Sequence, residues 1–150
     1  MTQTEYKIEK KKLQTVLKNF IEEKEIKIKP TESGIYLINT KKGTGKKVER
    51  GDIVTVNYDG KFLNGQFFDS TNETRQPLEF VYGTEWQVIK GLDEAIGYMC
   101  EGDKAVIILP SGLAWGEKGS STGIIPPFTT VVYELELISV KQRSEPVSID

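Results

Sequence analysis

The sequence predicts an α+β fold, an antiparallel sheet of about five strands wrapped around one short helix, with an additional helix at the amino terminus. Three observations carry this expectation. From Gly34 onward, short apolar runs of strand length are separated by Gly, Asn and Asp turn signals. One helical period interrupts them, with Leu92, Ala95, Ile96 and Met99 at i, i+3, i+4 and i+7. Ahead of both, residues 4 to about 26 are rich in lysine and glutamate and carry Leu13, Val16, Leu17, Phe20 and Ile21 at helical spacing.

In chain order, the amino-terminal helix has a narrow apolar stripe on a charged body. Such a stripe packs on the domain or meets a partner or a second copy of the chain. Ile28-Lys29-Pro30-Thr31 reads as a linker, because a residue preceding proline is pushed out of the helical region. Ile35 to Asn39 is the first short strand, followed by a loop from Lys41 to Lys47. Ile53 to Tyr58 is the second, ending before Asp59-Gly60. Asn64-Gly65 between Phe62-Leu63 and Phe67-Phe68 is a hairpin signal. Leu78 to Tyr82 is closed by Gly83, and Ala105 to Leu109 is a continuous apolar run. In the last strand Val131, Tyr133, Leu135 and Leu137 alternate with Val132, Glu134 and Glu136, one face buried and one mostly wet. Asp93 and Glu94 lie in the first turn of the short helix, where the dipole favours anions. The organisation expected is therefore helix and linker over 1–30, the domain over 31–141, and a polar, flexible tail over 142–150.

Composition narrows the chemistry. A net charge of -2 over 150 residues gives no reason to expect a nucleic-acid partner. The chain has no histidine and one cysteine, Cys100, which removes Ser-His-Asp and Cys-His nucleophile systems, imidazole-ligated zinc and thiolate clusters. No metal or cofactor is expected. No apolar run reaches the roughly 18 residues of a membrane span, and the first residues lack a signal-peptide apolar region.

The stretch PSGLAWGEKGSSTGIIPPFTT, from Pro110 to Thr130, holds glycines and prolines that break helices and strands, yet carries Leu113, Ala114, Trp115, Ile124, Ile125 and Phe128. Disordered segments lack that much apolar content. An ordered flap lining a pocket is expected. Other apolar and aromatic residues fall at strand ends and loops: Tyr58, Phe68 beside Asp69, Val88-Ile89 before the helix, and Tyr133. Together they describe an apolar pocket with few directional polar groups. Asp69 with Asp59 or Glu85 could imitate the carboxylate pair of a hydrolase, but the surroundings are too apolar for that chemistry.

The strings VNYDG, NGQFFDST, VIKGLDEAI, ILPSGLAWG and GIIPP followed by VVYELELISV resemble the FKBP-type peptidyl-prolyl isomerases, in order, over roughly residues 43 to 140. The resemblance implies an FKBP-like sheet wrapped on a helix and catalysis of rotation about X-Pro bonds, which assists protein folding. The alternative is a chaperone-like module that grips prolyl segments with little turnover. It implies Tyr58, Phe68, Asp69, Ile89 and Tyr133 as the catalytic set, with Leu78, Val88, Leu92, Ala114, Trp115, Ile124 and Ile125 contacting substrate. It also implies proline-containing polypeptides as partners and macrolides such as tacrolimus and rapamycin as ligands. Because isolated helices precede this domain in bacterial envelope isomerases, it implies the cell envelope or periplasm, with the cytoplasm as the alternative.

Three positions depart from the family pattern. Leu92 stands where a tryptophan at the start of the helix usually floors the pocket. Trp115 replaces a flap tyrosine, keeping an aromatic body and an N–H donor but losing a hydroxyl acceptor. Thr74 stands where an arginine is common as a charge partner for Asp69.

Overall fold

A computed structural model describes the main chain of residues 2–84 and 87–142; the side chains of Tyr6, Glu9, Lys10, Leu13, Gln14 and Val16 lie outside that description. The expected tail from residue 143, and Glu85 of the hypothetical carboxylate pair, also lie outside it.

Among the described residues, six strands occupy five positions. β1 (Tyr36–Lys41), β5 (Lys104–Leu109), β6 (Val131–Lys141) and β2 (Ile53–Phe62) lie side by side, all neighbours antiparallel. The fifth position is split. β3 (Phe67–Ser70) pairs with one end of β2, and β4 (Leu78–Val81) pairs with the other. Between them runs one helical turn, α2 (Thr71–Thr74), capped by the Ser70 hydroxyl and closed by Arg75 at φ 56°. Tyr58 N–H faces this gap, where no strand can accept it; the buried Thr71 hydroxyl does so at 2.7 Å.

The concave face of the sheet wraps α3 (Lys90–Ile96), burying Leu92, Ala95 and Ile96 against Val54, Val56, Ile107, Leu109, Tyr133, Leu135 and Leu137. Met99, expected within the helix, lies just beyond its end and is still fully buried. Asp93 does more than favour the helix dipole: its Oδ1 accepts the Gly83 N–H at 3.1 Å and ties the preceding turn to the helix.

Asp59-Gly60 does not end a strand as expected. β2 continues through it to Phe62. The hairpin is as its sequence predicts, with Gly65 at φ 89° and its N–H on the Phe62 carbonyl at 2.9 Å. β6 contains a bulge. Thr55 pairs with Ser139 and Val56 with Leu137, so Ile138 is skipped and faces solvent. That extra residue lets Val140 and Leu137, three apart, both face the core. Val132, assigned by alternation to the wet face, is buried there beside Ile108.

The amino-terminal helix α1 (Gln3–Glu23) opens with a capping box between Thr2 and Glu5. Leu17 and Ile21 lie over Tyr36 of β1, leaving a shallow groove of about 270 Å³. Leu13 and Val16 of the expected stripe have side chains outside the description.

Two acids that the sequence reading passed over hold the loops. Asp103, 1% exposed, accepts N–H groups from Gly43 at 2.6 Å and Cys100 at 2.9 Å. Gly43 has no room for a side chain, since a Cβ there would meet the Glu101 carbonyl at 2.2 Å. Asp52, also buried, accepts the Lys46 ammonium and the Glu49 N–H, the latter at 2.9 Å. Burial opposes its charge, but the Lys46 hydrogen bond, the Glu49 N–H and the Lys46 charge together outweigh it and hold the carboxyl below its ordinary 3.8. The folded state therefore binds fewer protons here than the unfolded chain. The resulting stability is full above pH 3.8 and is lost as pH falls through the depressed native value. Asp52→Asn should melt at lower temperature than the parent chain at pH 7, and scanning calorimetry should show that gap narrowing below pH 3.8.

Candidate active site

Register places the site. Gly60 of β2 faces Tyr133 of β6 on one side and Asp69 of β3 on the other. Inward residues of β2 therefore bring Tyr58 and Gly60 to the same face as Tyr133. β3 then breaks alternation: Gly60 pairs with Asp69 and Lys61 with Phe67, so Phe68 is the extra residue of a bulge. A regular strand would turn Phe68 and Asp69 to opposite faces. The bulge turns both toward Tyr58 and Tyr133 while Phe67 points out to solvent.

The rings form a box. Phe68 meets Tyr133 edge-on at 5.8 Å and Trp115 edge-on at 5.6 Å, and Tyr58 meets Tyr133 edge-on at 5.4 Å. These separations and tilts are the favourable edge-to-face arrangement. Gly60 makes the approach possible, because a Cβ there would lie 2.7 Å from Phe68 Cζ and 3.1 Å from Tyr133 Cε1. This is the reason for a glycine in mid-strand.

One polar pair sits in the box. The Tyr58 hydroxyl donates to Asp69 Oδ2 at 2.7 Å. Burial, then the hydrogen bond to Asp69 and its charge, push the Tyr58 hydroxyl well above the usual tyrosine range. Burial also raises Tyr133, with Tyr58 and Asp69 adding to the effect. Both rings thus keep their protons as hydrogen-bond donors. Asp69 lacks the arginine common at residue 74, and Tyr58 is its hydrogen-bond donor instead; the Thr74 hydroxyl turns back to the Thr71 carbonyl at 3.2 Å.

The flap is ordered. Phe128 N–H binds the Gly116 carbonyl at 2.9 Å, and Ser120 N–H binds that of Ile125 at 2.9 Å. Gly119, at φ 73°, lies so close under Ile125, Pro126 and Pro127 that a Cβ would meet the Ile125 carbonyl at 2.4 Å. These ties hold Trp115 over Phe68. Leu78, Val88, Ile89, Leu113 and Ala114 pack, half-buried, on the same core cluster. The expected site residues outside this contact set are two. Ile125 is buried within the fold of the flap and apart from the main core, and Ile124 is 58% exposed at its tip.

Leu92 is corrected in place. It is the third residue of α3, not its opening residue, and at 3% exposure it belongs to the core beneath the site. The Asp69–Asp59 version of the hydrolase pair is not assembled: Asp59 points to the other face of the sheet and bonds Ser70 and Asn72. The Phe68 bulge and the Gly60 clearance were missed by sequence reasoning; the glycine inside VNYDG was the one available signal.

The family model described as FKBP-type peptidyl-prolyl cis-trans isomerase matches residues 44–138, the stretch that contains the whole box. The chain belongs to the FKBP-type peptidyl-prolyl cis-trans isomerases. It is 41% identical over 107 residues to an FK506-binding protein of Neisseria meningitidis serogroup B, covering 71% of this chain and 96% of that one. Identity to the mouse peptidyl-prolyl cis-trans isomerase FKBP2 is 42%, over 66% of this chain and 69% of that one. Among solved structures, a Pseudomonas syringae peptidyl-prolyl cis-trans isomerase superposes with a TM-score of 0.73 at 31% identity, covering 88% of this chain and 96% of that one. Escherichia coli FkpA superposes with a TM-score of 0.75 at 30% identity, over 87% of this chain and 58% of FkpA. The isomerase is thus favoured over a module that only binds.

Gly60→Ala should push the Phe68 ring out of the box. Turnover of a prolyl peptide, followed by NMR exchange, should fall at least tenfold while calorimetry registers an overpacking cost of about 1–3 kcal/mol.

Proposed function

We propose that this isomerase turns X-Pro bonds inside the Tyr58–Phe68–Trp115–Tyr133 box. The observation that supports the assignment is the Tyr58–Asp69 hydrogen bond at the rim of a chain of edge-on rings, Tyr58 on Tyr133, Tyr133 on Phe68 and Phe68 on Trp115. Rotation about a prolyl amide breaks resonance and faces a barrier of ~18–20 kcal/mol. Unaided it takes tens to hundreds of seconds. The planar amide is the more polar state, and the twisted one has less charge separation. An apolar enclosure therefore disfavours the ground state more than the twisted state, which is differential binding. No nucleophile or proton transfer enters this step.

Each residue has a role. Phe68, Trp115 and Tyr133 enclose the prolyl ring, with Leu92 beneath them in the core. Tyr58 and Asp69 orient the carbonyl that rotates. Ile89, which caps α3, offers its main-chain N–H to a neighbouring substrate carbonyl. Val88, Leu78 and Ala114 form the rim, and Ile124 and Ile125 the flap side. The same box supports binding of tacrolimus (FK506) and rapamycin, to be measured by calorimetric titration.

Asp69 is exposed and Phe68 half-buried, so their substitutions separate chemistry from stability. Both Asp69→Leu and Phe68→Ala should reduce NMR-measured exchange in a peptide with an apolar residue before proline. Phe68→Ala should lower stability by less than the ~3–5 kcal/mol of a fully buried ring, because Phe68 is half-buried, and Asp69→Leu should leave the melting temperature nearly unchanged. Equal, large drops in melting temperature would remove Asp69 from the mechanism.

The half-buried stripe of Leu17, Phe20 and Ile21, with Ile8 50% exposed, supports a partner or dimer contact through α1. Light scattering should then show a larger assembly that Phe20→Lys disperses. A helix placed ahead of the isomerase domain also supports a home in the bacterial cell envelope, and fractionation of cells expressing the native gene product should recover it there and not in the cytoplasm.

A further inference from the structure

One edge of the sheet has no partner strand among the described residues. β4 is four residues long and, among the described residues, pairs with β2 alone. Val81 directs its main-chain groups away from β2. Its N–H donates to Gln87 Oε1 at 2.9 Å, and its carbonyl accepts the Thr84 N–H at 3.3 Å. Strand groups alternate in direction, so Glu79, two residues earlier, turns its N–H and carbonyl the same way. A groove of about 400 Å³ follows this edge, lined by Ile53, Leu78, Glu79, Phe80, Val81 and Gln87. It does not lie over the aromatic box, but it borders residues that pack beside the box. Leu78 lines the groove and belongs to the rim, and Gln87 immediately precedes Val88 and Ile89.

We propose that this edge binds the segment of an unfolded polypeptide that flanks the substrate proline, as an added strand on β4. The inference rests on the assignment of the prolyl site above. Three features fit that occupant. The residue before a proline is confined to extended backbone, so the chain arrives at the site already in strand conformation. Main-chain pairing recognises any sequence, as a folding catalyst requires, while apolar Ile53, Leu78 and Val81 receive alternate side chains. The Gln87 side chain already holds the Val81 N–H as a strand carbonyl would, and a client carbonyl would take its place.

The test compares exchange in a prolyl tetrapeptide with exchange in peptides extended by four alternating Val and Thr residues on either side. One of the extensions should lower KM about tenfold, the fold-change for two net hydrogen bonds, with kcat unchanged. Proline is tolerated on edge strands, so Val81→Pro should abolish this gain and leave tetrapeptide turnover intact. Gln87→Ala should lower KM for the extended peptide alone. In the parent chain, the Glu79 and Val81 amides should gain hydrogen-exchange protection when the extended peptide is added. These last two readouts decide the matter if Val81→Pro does not fold. Equal KM for short and extended peptides, with no protection of these amides, overturns the proposal. Protection of both amides that appears with protein concentration and without peptide overturns it in favour of a second copy of the chain. Loss of tetrapeptide turnover in the parent chain would instead overturn the site assignment, and amide protection would still report on the groove.

Discussion

The antiparallel pairing of β2 with β6, from Ile53 opposite Lys141 to Phe62 opposite Val131, is the constraint on which the rest depends. β2 carries Tyr58 and Gly60, β6 carries Tyr133, and their register decides which side chains share a face. β5 joins the far side of β6 and delivers the flap that follows Leu109. β3 and β4 divide the far side of β2 and deliver Phe68, Asp69 and Leu78. A one-residue slip would move the whole inward set to solvent. Such a slip is opposed by the burial of Val54, Val56, Leu135 and Leu137 and by the anchoring of Asp52 and Asp103 at the strand ends.

Two bulges beside β2, one in β6 and one in β3, serve opposite ends. The one at Ile138 serves packing, since it restores the match between Val54 and Val140 after Leu137 has met Val56. The one at Phe68 serves the site, because it aims two consecutive residues, one aromatic and one acidic, into the same space. Between them Gly60 supplies the clearance that two aromatic rings need. The box is thus a product of a backbone irregularity in β3 together with a glycine in β2.

The polarity of the box suits the reaction proposed for it. Tyr58 and Tyr133 are held neutral by burial, and Asp69, whose hydrogen-bond donor is the Tyr58 hydroxyl, stays at the exposed rim. A planar amide entering the proposed site would lose water and find few dipoles to replace it. The twisted amide needs fewer. With no histidine in the chain and one cysteine, an amide rotation is a reaction for which this residue set is sufficient.

Short-range patterns were legible in the sequence. The Asn64-Gly65 turn, the alternation from Val131 to Leu137, the period through Leu92, Ala95 and Ile96, and the breaker-rich flap each depend on residues a few positions apart. The resemblance named Tyr58, Phe68, Asp69, Trp115 and Tyr133, which the structure brings together, as well as Ile124 and Ile125, which it leaves outside that cluster. Tertiary structure alone decided the extent of β2 through Gly60, the bulges at Phe68 and Ile138, the burial of Asp52 and Asp103, and the lack of a partner strand on the outer edge of β4 among the described residues. Each of these depends on what stands opposite a residue. A bulge exists only relative to a partner strand, a glycine is needed only where another ring arrives, and an acid can be buried only where N–H groups from distant loops converge on it.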